Sequence, residues 1–429
     1  MISPTKQNGE VSLEPNAQAQ SVPPSIGFQP DMTGAGMLGV IFHVCDSMGV
    51  SDVQIRSELP VYVETHNGME CLSHLGVLGG EAVYDIYVEL LRNRDFASHG
   101  FGHDESAEGR SNRKIEEAVG SFQELMVDDF SCNGIFVDAT GKTTGRLRIQ
   151  VHLSASGLGI TCRILNDSIP DLGVLGIDPD TSEMLKLAVQ RRAGLCLVTG
   201  PTGSGKSTTL AAIIDWLRRN HPKHIVTIED PVEYQYSSDI DDPKNPGQKC
   251  MAPSIVTQQE VGRDVASYRQ GLKDVLRKAP HVILLGEIRD REAMETCMEA
   301  AQTGHLVLST LHTTGAVKTM GRILEMYPRE NHPAVLNRLS ETLIFIHSQG
   351  LLSGHEGRVL TYEFLQNNED SVSSAIGGYD KGSRALEDAI KRSGNIAWDA
   401  KLTSLYEEGK ISQEIFENTR MHREDTEYV

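Results

Sequence analysis

Residues Gly200 to Ser207 read GPTGSGKS, a full match to G-x-x-x-x-G-K-[ST], and no other feature constrains the fold of this chain as tightly. The apolar run Leu195 to Val198 leads into the octet and the helix-forming segment STTLAAIIDWLRR leaves it. The motif therefore has the strand, glycine-rich turn and helix that its chemistry needs. Glycines at 200, 203 and 205 permit backbone conformations and close approaches that a Cβ would obstruct. The N–H groups of the turn and the helix N-terminus then face phosphate oxygens. Lys206 adds a point charge for the β- and γ-phosphates, and the Ser207 hydroxyl suits Mg2+. The candidate nucleotide-binding residues are thus Gly200, Pro201, Thr202, Gly203, Ser204, Gly205, Lys206, Ser207 and Thr208, with ATP and Mg2+ as expected cofactors. The alternative is a chance match in a glycine-rich loop, and the flanks argue against it.

From Glu183 onward, short apolar runs alternate with helical segments: GLCLVTG, HIVTIED, HVILLGE and HLVLSTL. This alternation predicts an α/β fold with a parallel sheet covered on both faces. Ligands of such sheets bind outside the carboxyl ends of the strands. Gly200 onward, Glu229 with Asp230, Glu287, and Thr310 to His312 should therefore cluster on one edge. Glu287, after the run Val282 to Leu285, is placed to hold Mg2+ opposite Ser207, directly or through water. In-line attack on a γ-phosphate also needs a water activated by a carboxylate. Glu229 is the first candidate for that role and Glu287 the competitor. An ordinary surface Glu and a turn-forming Asp-Pro are the plainer readings of the two sites. His305 and His312 stand at opposite ends of one strand-like run. His312, at the carboxyl end, suits phosphate sensing or coupling; His305 is the weaker nucleotide-site candidate. No Cys or His spacing supports metal ligation by this pair.

The amino-terminal half reads differently. Residues 1–30 are polar and Pro- and Gln-containing, and are expected to form a disordered tail. A helical face follows at Leu38, Ile41, Phe42 and Cys45. Alternation at Val53, Ile55, Val61 and Val63, with a turn at Asn67-Gly68, predicts strands. Another helix is expected over GEAVYDIYVELLRN, a surface loop over His99 to Asn112, and strands over Gly145 to Leu153 and Gly157 to Leu165. The Pro/Asp/Gly-rich NDSIPDLGVLGIDPD reads as a linker. The expected domains are 31–168, 169–384 and a helical carboxyl-terminal region, 385–429.

A formal net charge of −19 argues against a protein that coats nucleic acid, so direct nucleic-acid binding is not expected. Seven scattered cysteines without a CxxC pair indicate reduced core thiols rather than a zinc ribbon or disulfide framework. No stretch approaches the roughly 18 apolar residues of a membrane span. The first residues lack the basic start and apolar core of a signal peptide, so a cytoplasmic location is expected.

Four elements now stand in order: GPTGSGKST, TIEDPVEY, LLGEIRD and TGHLVLSTLHT. Together they resemble the secretion ATPases of the type II/type IV superfamily, which includes pilus motors of the PilT kind. In that family they are the Walker A loop, Asp box, Walker B and His box. GVSDVQI, GRLRIQ and ITCRIL extend the resemblance more weakly, so that it covers roughly Met37 to Leu352. It implies a PAS-like α+β amino-terminal domain joined to a RecA-like P-loop ATPase domain with a carboxyl-terminal helical tail. It also implies a homohexamer with nucleotide between the two domains, peripheral at the inner membrane. Implied partners are inner-membrane secretion or pilus platform proteins and a coupling ATPase.

By the same resemblance, Arg146 and Arg148 contact phosphate, and Arg163 matches a later arginine position. A guanidinium would stabilise charge on the transferring phosphoryl group. The i, i+2 spacing puts Arg146 and Arg148 on one strand face; the plainer reading is a solvated face. AWDAKLTSLYEEGKIS resembles the tail of DotB- and TraJ-type ATPases of type IVB secretion and conjugation. The tetracysteine metal site of type II secretion and pilus-assembly ATPases is missing. LNRLSETLIFI stands where retraction motors carry an AIRNLIRE-like segment, and differs from it. The resemblance thus favours a secretion or conjugation motor over pilus retraction. A nucleotide-gated scaffold without hydrolysis is the alternative of another class. SSDIDDPKNPGQKC carries no assigned role.

Overall fold

The computed structural model describes residues 27–424 except 30, 47, 66–67, 94–114, 117, 123–125, 138–142, 166–167, 356 and 393. The expected tail before residue 27, the loop at 99–112 and Asn67 lie outside the described residues.

Two sheets organise the chain. The first has six antiparallel strands in the spatial order Gly68–Cys71, Tyr62–Thr65, Asp52–Arg56, Gly157–Leu165, Thr143–Ser154, Val127–Val137. Helices Gly34–Asp46 and Gly80–Arg92 share its core: Ile41, Phe42, Ile86 and Leu90 pack with Val53, Ile55, Leu147, Ile149 and Val151. Strand period two then decides what the opposite face carries. With Leu147, Ile149 and Val151 turned inward, Arg146 and Arg148 stand on the other face. The strand Val127–Val137 was missed in the sequence because VDDFSCNGIFV lacks clean alternation.

The second sheet has seven strands, ordered Ile255–Glu260, His224–Glu229, Val282–Leu285, Leu306–Leu311, Gly194–Thr199, Leu343–Gly354, Gly357–Gln366. All neighbours are parallel except the last pair, an antiparallel hairpin. The four expected strands lie side by side at its centre. Both faces are covered, and one strand shows it: Leu195 and Leu197 enter one core, Cys196 and Val198 the other. Each covering helix shows the matching period. Leu210, Ile213, Ile214 and Leu217 of Lys206–Asn220 pack on one face; Met294, Cys297, Met298 and Ala301 of Arg291–Gln302 pack on the other. Asp290 caps the latter helix, accepting from Ala293 N–H at 2.8 Å.

The linker segment after Asn166 is not bare coil: it contains a short turn, Leu172–Val174, and the helix Pro179–Ala188. A domain cut at 384/385 falls at the first residue of the helix Arg384–Ile390, whose Leu386, Ala389 and Ile390 belong to the core of the large sheet. That polar sequence still carries an apolar stripe. The helices Trp398–Glu407 and Gln413–Glu424 close on a small core of their own around Leu402, Leu405 and Ile411, with Gly409 (φ 68°) between them. No helix of the described residues is long and apolar enough to cross a membrane.

Five of the seven cysteines are buried, and Cys71 is exposed. Burial pushes the Cys45 and Cys132 thiols up to about 12, as for inert core thiols.

Leu197 is fully buried at the centre of the sheet. Leu197→Ala should cost about 2–5 kcal/mol, read as a lower urea midpoint at unchanged m-value. A midpoint equal to wild type would contradict this placement.

Candidate active site

The turn 200–205 is built from backbone that only glycine adopts freely. Gly200, Gly203 and Gly205 have φ of 148°, 78° and 85°. A Cβ on Gly200 would lie 2.2 Å from the Gln349 carbonyl oxygen and 2.5 Å from Ser204 Oγ. Gly205 then opens the helix Lys206–Asn220 as its left-handed N-cap. Pro201, Thr202, Gly203 and Ser207 are exposed, so the open side of the turn is reachable.

The buried side is held by a residue that sequence reasoning missed. Gln349 donates to the Ser204 carbonyl at 2.6 Å and accepts from Thr209 Oγ1 at 2.8 Å. It is 1% exposed. Its only signal was a polar amide inside the apolar run LIFIHSQGLL. Ser204 Oγ is buried with no hydrogen-bond partner, a polar atom that a phosphate oxygen would satisfy. Lys206 Nζ donates to the Gly200 and Pro201 carbonyls, both at 2.9 Å. Burial lowers its pKa, while the Glu287 and Glu233 carboxylates act in the opposite sense. Glycine cradle, orphan hydroxyl and buried ammonium together fit a nucleotide's phosphates.

Parallel register carries the other groups to this edge. Gly200 N–H donates to the Leu311 carbonyl at 3.3 Å, and Ile288 N–H to the Thr310 carbonyl at 3.0 Å. Glu287 accepts from Arg289, whose guanidinium also lies 3.9 Å from Asp230, and it lies 3.2 Å from His312 Nε2. Glu287 is therefore fixed between one cation and one imidazole. Arg289, visible in the sequence as the third residue of EIRD, was not singled out.

Glu229 has a different environment. Its Oε1 accepts from Thr227 Oγ1 at 2.7 Å and Gln258 Nε2 at 3.2 Å, both neutral donors. Burial pushes its carboxyl up to about 7; those two hydrogen bonds pull the other way. A cavity of about 40 Å³, lined by Ser207, Glu229, Tyr234, Gly286 and Thr310 among others, separates Ser207 from Glu229. It has room for water beside polar partners. Tyr234 closes it by sharing a hydrogen bond of 2.9 Å with Thr208. Among the described residues, no group of three His, Cys, Asp or Glu could hold a metal by itself. A Mg2+ that keeps waters and phosphate oxygens needs only one or two protein ligands.

Of the two arginines on the other sheet, Arg146 reaches the loop after Glu229, while Arg148 is paired within its own sheet. Arg146 is buried and donates to the carbonyls of Val232 (2.7 Å) and Glu233 (2.6 Å). Arg148 pairs with Asp129 at 3.1 Å. Burial opposes its charge, but Asp129, then Glu233 and Asp230, more than offset this and raise its pKa. Arg163 stands opposite Arg148 in register but binds Asp52 at 2.8 Å, with its side chain more than half exposed. The structure does not bring it to the phosphate turn. Nor does it bring His305 there: that residue precedes the strand Leu306–Leu311, beside Gly194, at the opposite edge of the sheet. Its ring packs 3.1 Å from the Ala300 carbonyl instead.

A family model described as "Type II/IV secretion system protein" matches residues 139–405. The type IV pilus retraction ATPase PilT of Pseudomonas aeruginosa is 38% identical over 245 residues, which cover 57% of this chain and 64% of that protein. The chain thus spans just under two thirds of the length of the curated relatives it first matches. A crystal structure of the pilus retraction motor PilT with bound ADP superposes with a TM-score of 0.69 at 31% identity, covering 88% of this chain and 94% of that one. The Legionella pneumophila ATPase DotB superposes with a TM-score of 0.71 at 22% identity, covering 92% and 98%, a likeness of fold.

The Glu229 carboxyl yields a pH prediction. The folded chain keeps its proton up to about pH 7, whereas an unfolded chain releases it near the ordinary value of 4.5. Its contribution to stability is therefore full below pH 4.5 and lost as pH rises through 7. Glu229→Gln removes that loss, so its stability relative to wild type should rise by about 1–3 kcal/mol between pH 4.5 and 8. Urea titrations at the two pH values measure it; a pH-independent difference would place Glu229 in ordinary solvent.

Proposed function

This chain belongs to the type II/IV secretion system protein family, and we propose that it is an ATP-hydrolysing motor of the pilus-retraction kind. The observation that carries the reading is the convergence of the glycine turn, Lys206, Glu229 and Glu287 on one sheet edge. Bound ATP with Mg2+ supplies the phosphoryl group and the metal charge that stabilises its oxygens. Lys206 and the N–H groups of the turn orient the phosphates. Ser207 and Glu287 would hold the metal. Glu229, with neutral partners and a carboxyl near neutrality, takes the proton of the attacking water at its carboxylate. Arg146 and Arg148 supply guanidinium charge from the other sheet. His312 senses the phosphate through Glu287, its neighbour at 3.2 Å.

In this reading the small sheet serves as the PAS-like domain and the large one as the RecA-like domain of a homohexamer. That hexamer works in the cytoplasm on inner-membrane platform proteins. The relatives alter one preference drawn from the sequence tail. Identity of 38% to a pilus retraction ATPase supports retraction, whereas the likeness to DotB, at 22%, speaks only of fold. A secretion motor, with a coupling ATPase beside it, stays as the second reading on the strength of the helical tail from Trp398.

Phosphate release by the purified chain tests the enzyme. Lys206→Ala should abolish it, and rates equal to wild type would leave a non-hydrolysing scaffold. Glu229→Gln should bind ATP normally and lose about 10²–10⁴-fold in turnover; a normal rate there with loss in Glu287→Gln reverses the two roles. Arg146→Ala and Arg148→Ala should lower turnover more than ATP binding, and unchanged turnover in both would return them to a structural part. Deleting the gene from its bacterium should abolish twitching while leaving pili. An export or plasmid-transfer defect with intact twitching would select the second reading.

A further inference from the structure

The carboxylate of Glu260 takes no part in the site above, yet the two sheets meet on it. It ends the edge strand Ile255–Glu260, directly beside Glu229 in the parallel register, and is 4% exposed. Its Oε2 accepts from Val232 N–H at 3.0 Å and from the Ser131 hydroxyl at 3.1 Å. Val232 follows Glu229 by three residues. Ser131 belongs to the other sheet, on the strand next to that of Arg146. Arg263 Nη1 stands 3.9 Å from Oε2, and the Glu260 N–H donates to Asp264 Oδ2 at 2.8 Å.

The loop 231–236 is thereby gripped from three directions. Glu260 holds its amide at Val232, and Arg146 holds the next two carbonyls. Gln258, two residues before Glu260 on the same strand face, donates to the Tyr234 carbonyl and to Glu229 Oε1, and accepts from Tyr236 N–H. A buried carboxylate is a costly way to fill space unless hydrogen bonds and a charged partner compensate it. What a carboxylate oxygen does that an apolar group cannot is accept from both sheets at once. If the small sheet shifts, Ser131 draws on an acceptor that cannot be left partnerless without penalty. The shift is then felt at Val232, and through three residues of chain at Glu229.

We propose that Glu260 is a positioning residue that transmits the placement of the amino-terminal sheet, through Val232, to Glu229. The inference rests on the reading of Glu229 as the water-activating group. Ser131 becomes the sensing end of the link and the loop 231–236 its moving part.

The test uses the full chain with Ser131→Ala, Glu260→Ala, Glu260→Gln and the double alanine variant. Amide hydrogen exchange over 231–236 should quicken about tenfold or more in both single alanine variants, with the helix Arg291–Gln302 unchanged. Ser131 makes the sharper case, because it bonds no amide of that loop. Turnover should fall about tenfold with KM within about twofold, and the double variant should be no worse than Glu260→Ala alone. Glu260→Gln, which keeps an acceptor oxygen, should recover part of the loss. Wild-type exchange over 231–236 in Ser131→Ala, or multiplicative losses in the double variant, would overturn the link. Exchange is read without turnover, so the two readings fail separately. A wild type that releases no phosphate removes the motor reading alone, and the exchange result still decides the link.

Discussion

Hydrogen bonds between parallel strands decide which side chains can meet at this site. The strands Gly194–Thr199, Leu306–Leu311, Val282–Leu285 and His224–Glu229 pair residue for residue. Once Thr199 stands beside Leu311 and Leu285 beside Ile228, the next residue of each strand must emerge on one edge. Gly200, His312, Gly286 and Glu229 are those residues. A shift of one residue in any pairing would turn every side chain of that strand to the other face. The alternation of Leu195 and Leu197 into one core, and Cys196 and Val198 into the other, is what resists the shift. Core packing thus fixes the geometry of the phosphate turn from beneath, with the buried amide of Gln349 as the last link between sheet and turn.

Two carboxylates end neighbouring strands, and their surroundings separate them. Glu287 lies between the Arg289 guanidinium and the His312 imidazole. Glu229 meets a threonine hydroxyl and a glutamine amide, and burial dominates its titration. A group that must accept a proton works best when its pKa lies near the working pH. The two acids thus differ in environment where they do not differ in residue type.

Much of this was legible in the sequence, because the decisive signals are local. The octet at 200–207 announces its turn through glycine and its chemistry through lysine, and four apolar runs announce their strands. The carboxyl-edge rule then brings Glu229, Glu287 and His312 together without further knowledge. What escaped is long-range. Gln349 is 145 residues from Ser204, and a single amide in an apolar run gives no hint of its partner. Gln258 and Glu260 sit on an edge strand, Ile255–Glu260, whose IVTQQE pattern is too polar to read as a sheet member. His305 was kept as a weaker nucleotide-site candidate although the sequence already set it at the other end of the strand from His312. The strand around it was read well, but its direction puts His305 at the amino end. Arg163 shows the limit of pairing by type, since cross-strand neighbours bind different partners.

The junction between the sheets has a composition suited to movement. It is made by hydrogen bonds from Arg146 to the Asp-box loop and from Ser131 to Glu260 rather than by a shared apolar core; the two sheets keep separate cores. A single hydrogen bond contributes only about 0.5–1.5 kcal/mol net, rising to about 1.5–3 when one partner is charged. A handful of such bonds can be exchanged by a ligand that favours one arrangement by a few kcal/mol, which is the range of ordinary coupling free energies. An apolar interface of domain size could not be opened so cheaply. The Arg146 contacts fall within four residues of Glu229, and Glu260 pairs with Glu229 across the strands, so both bear on the loop that leaves it. Chemistry and motion are therefore linked through a short piece of backbone, and the buried carboxylate beside that loop is what makes the linkage stiff.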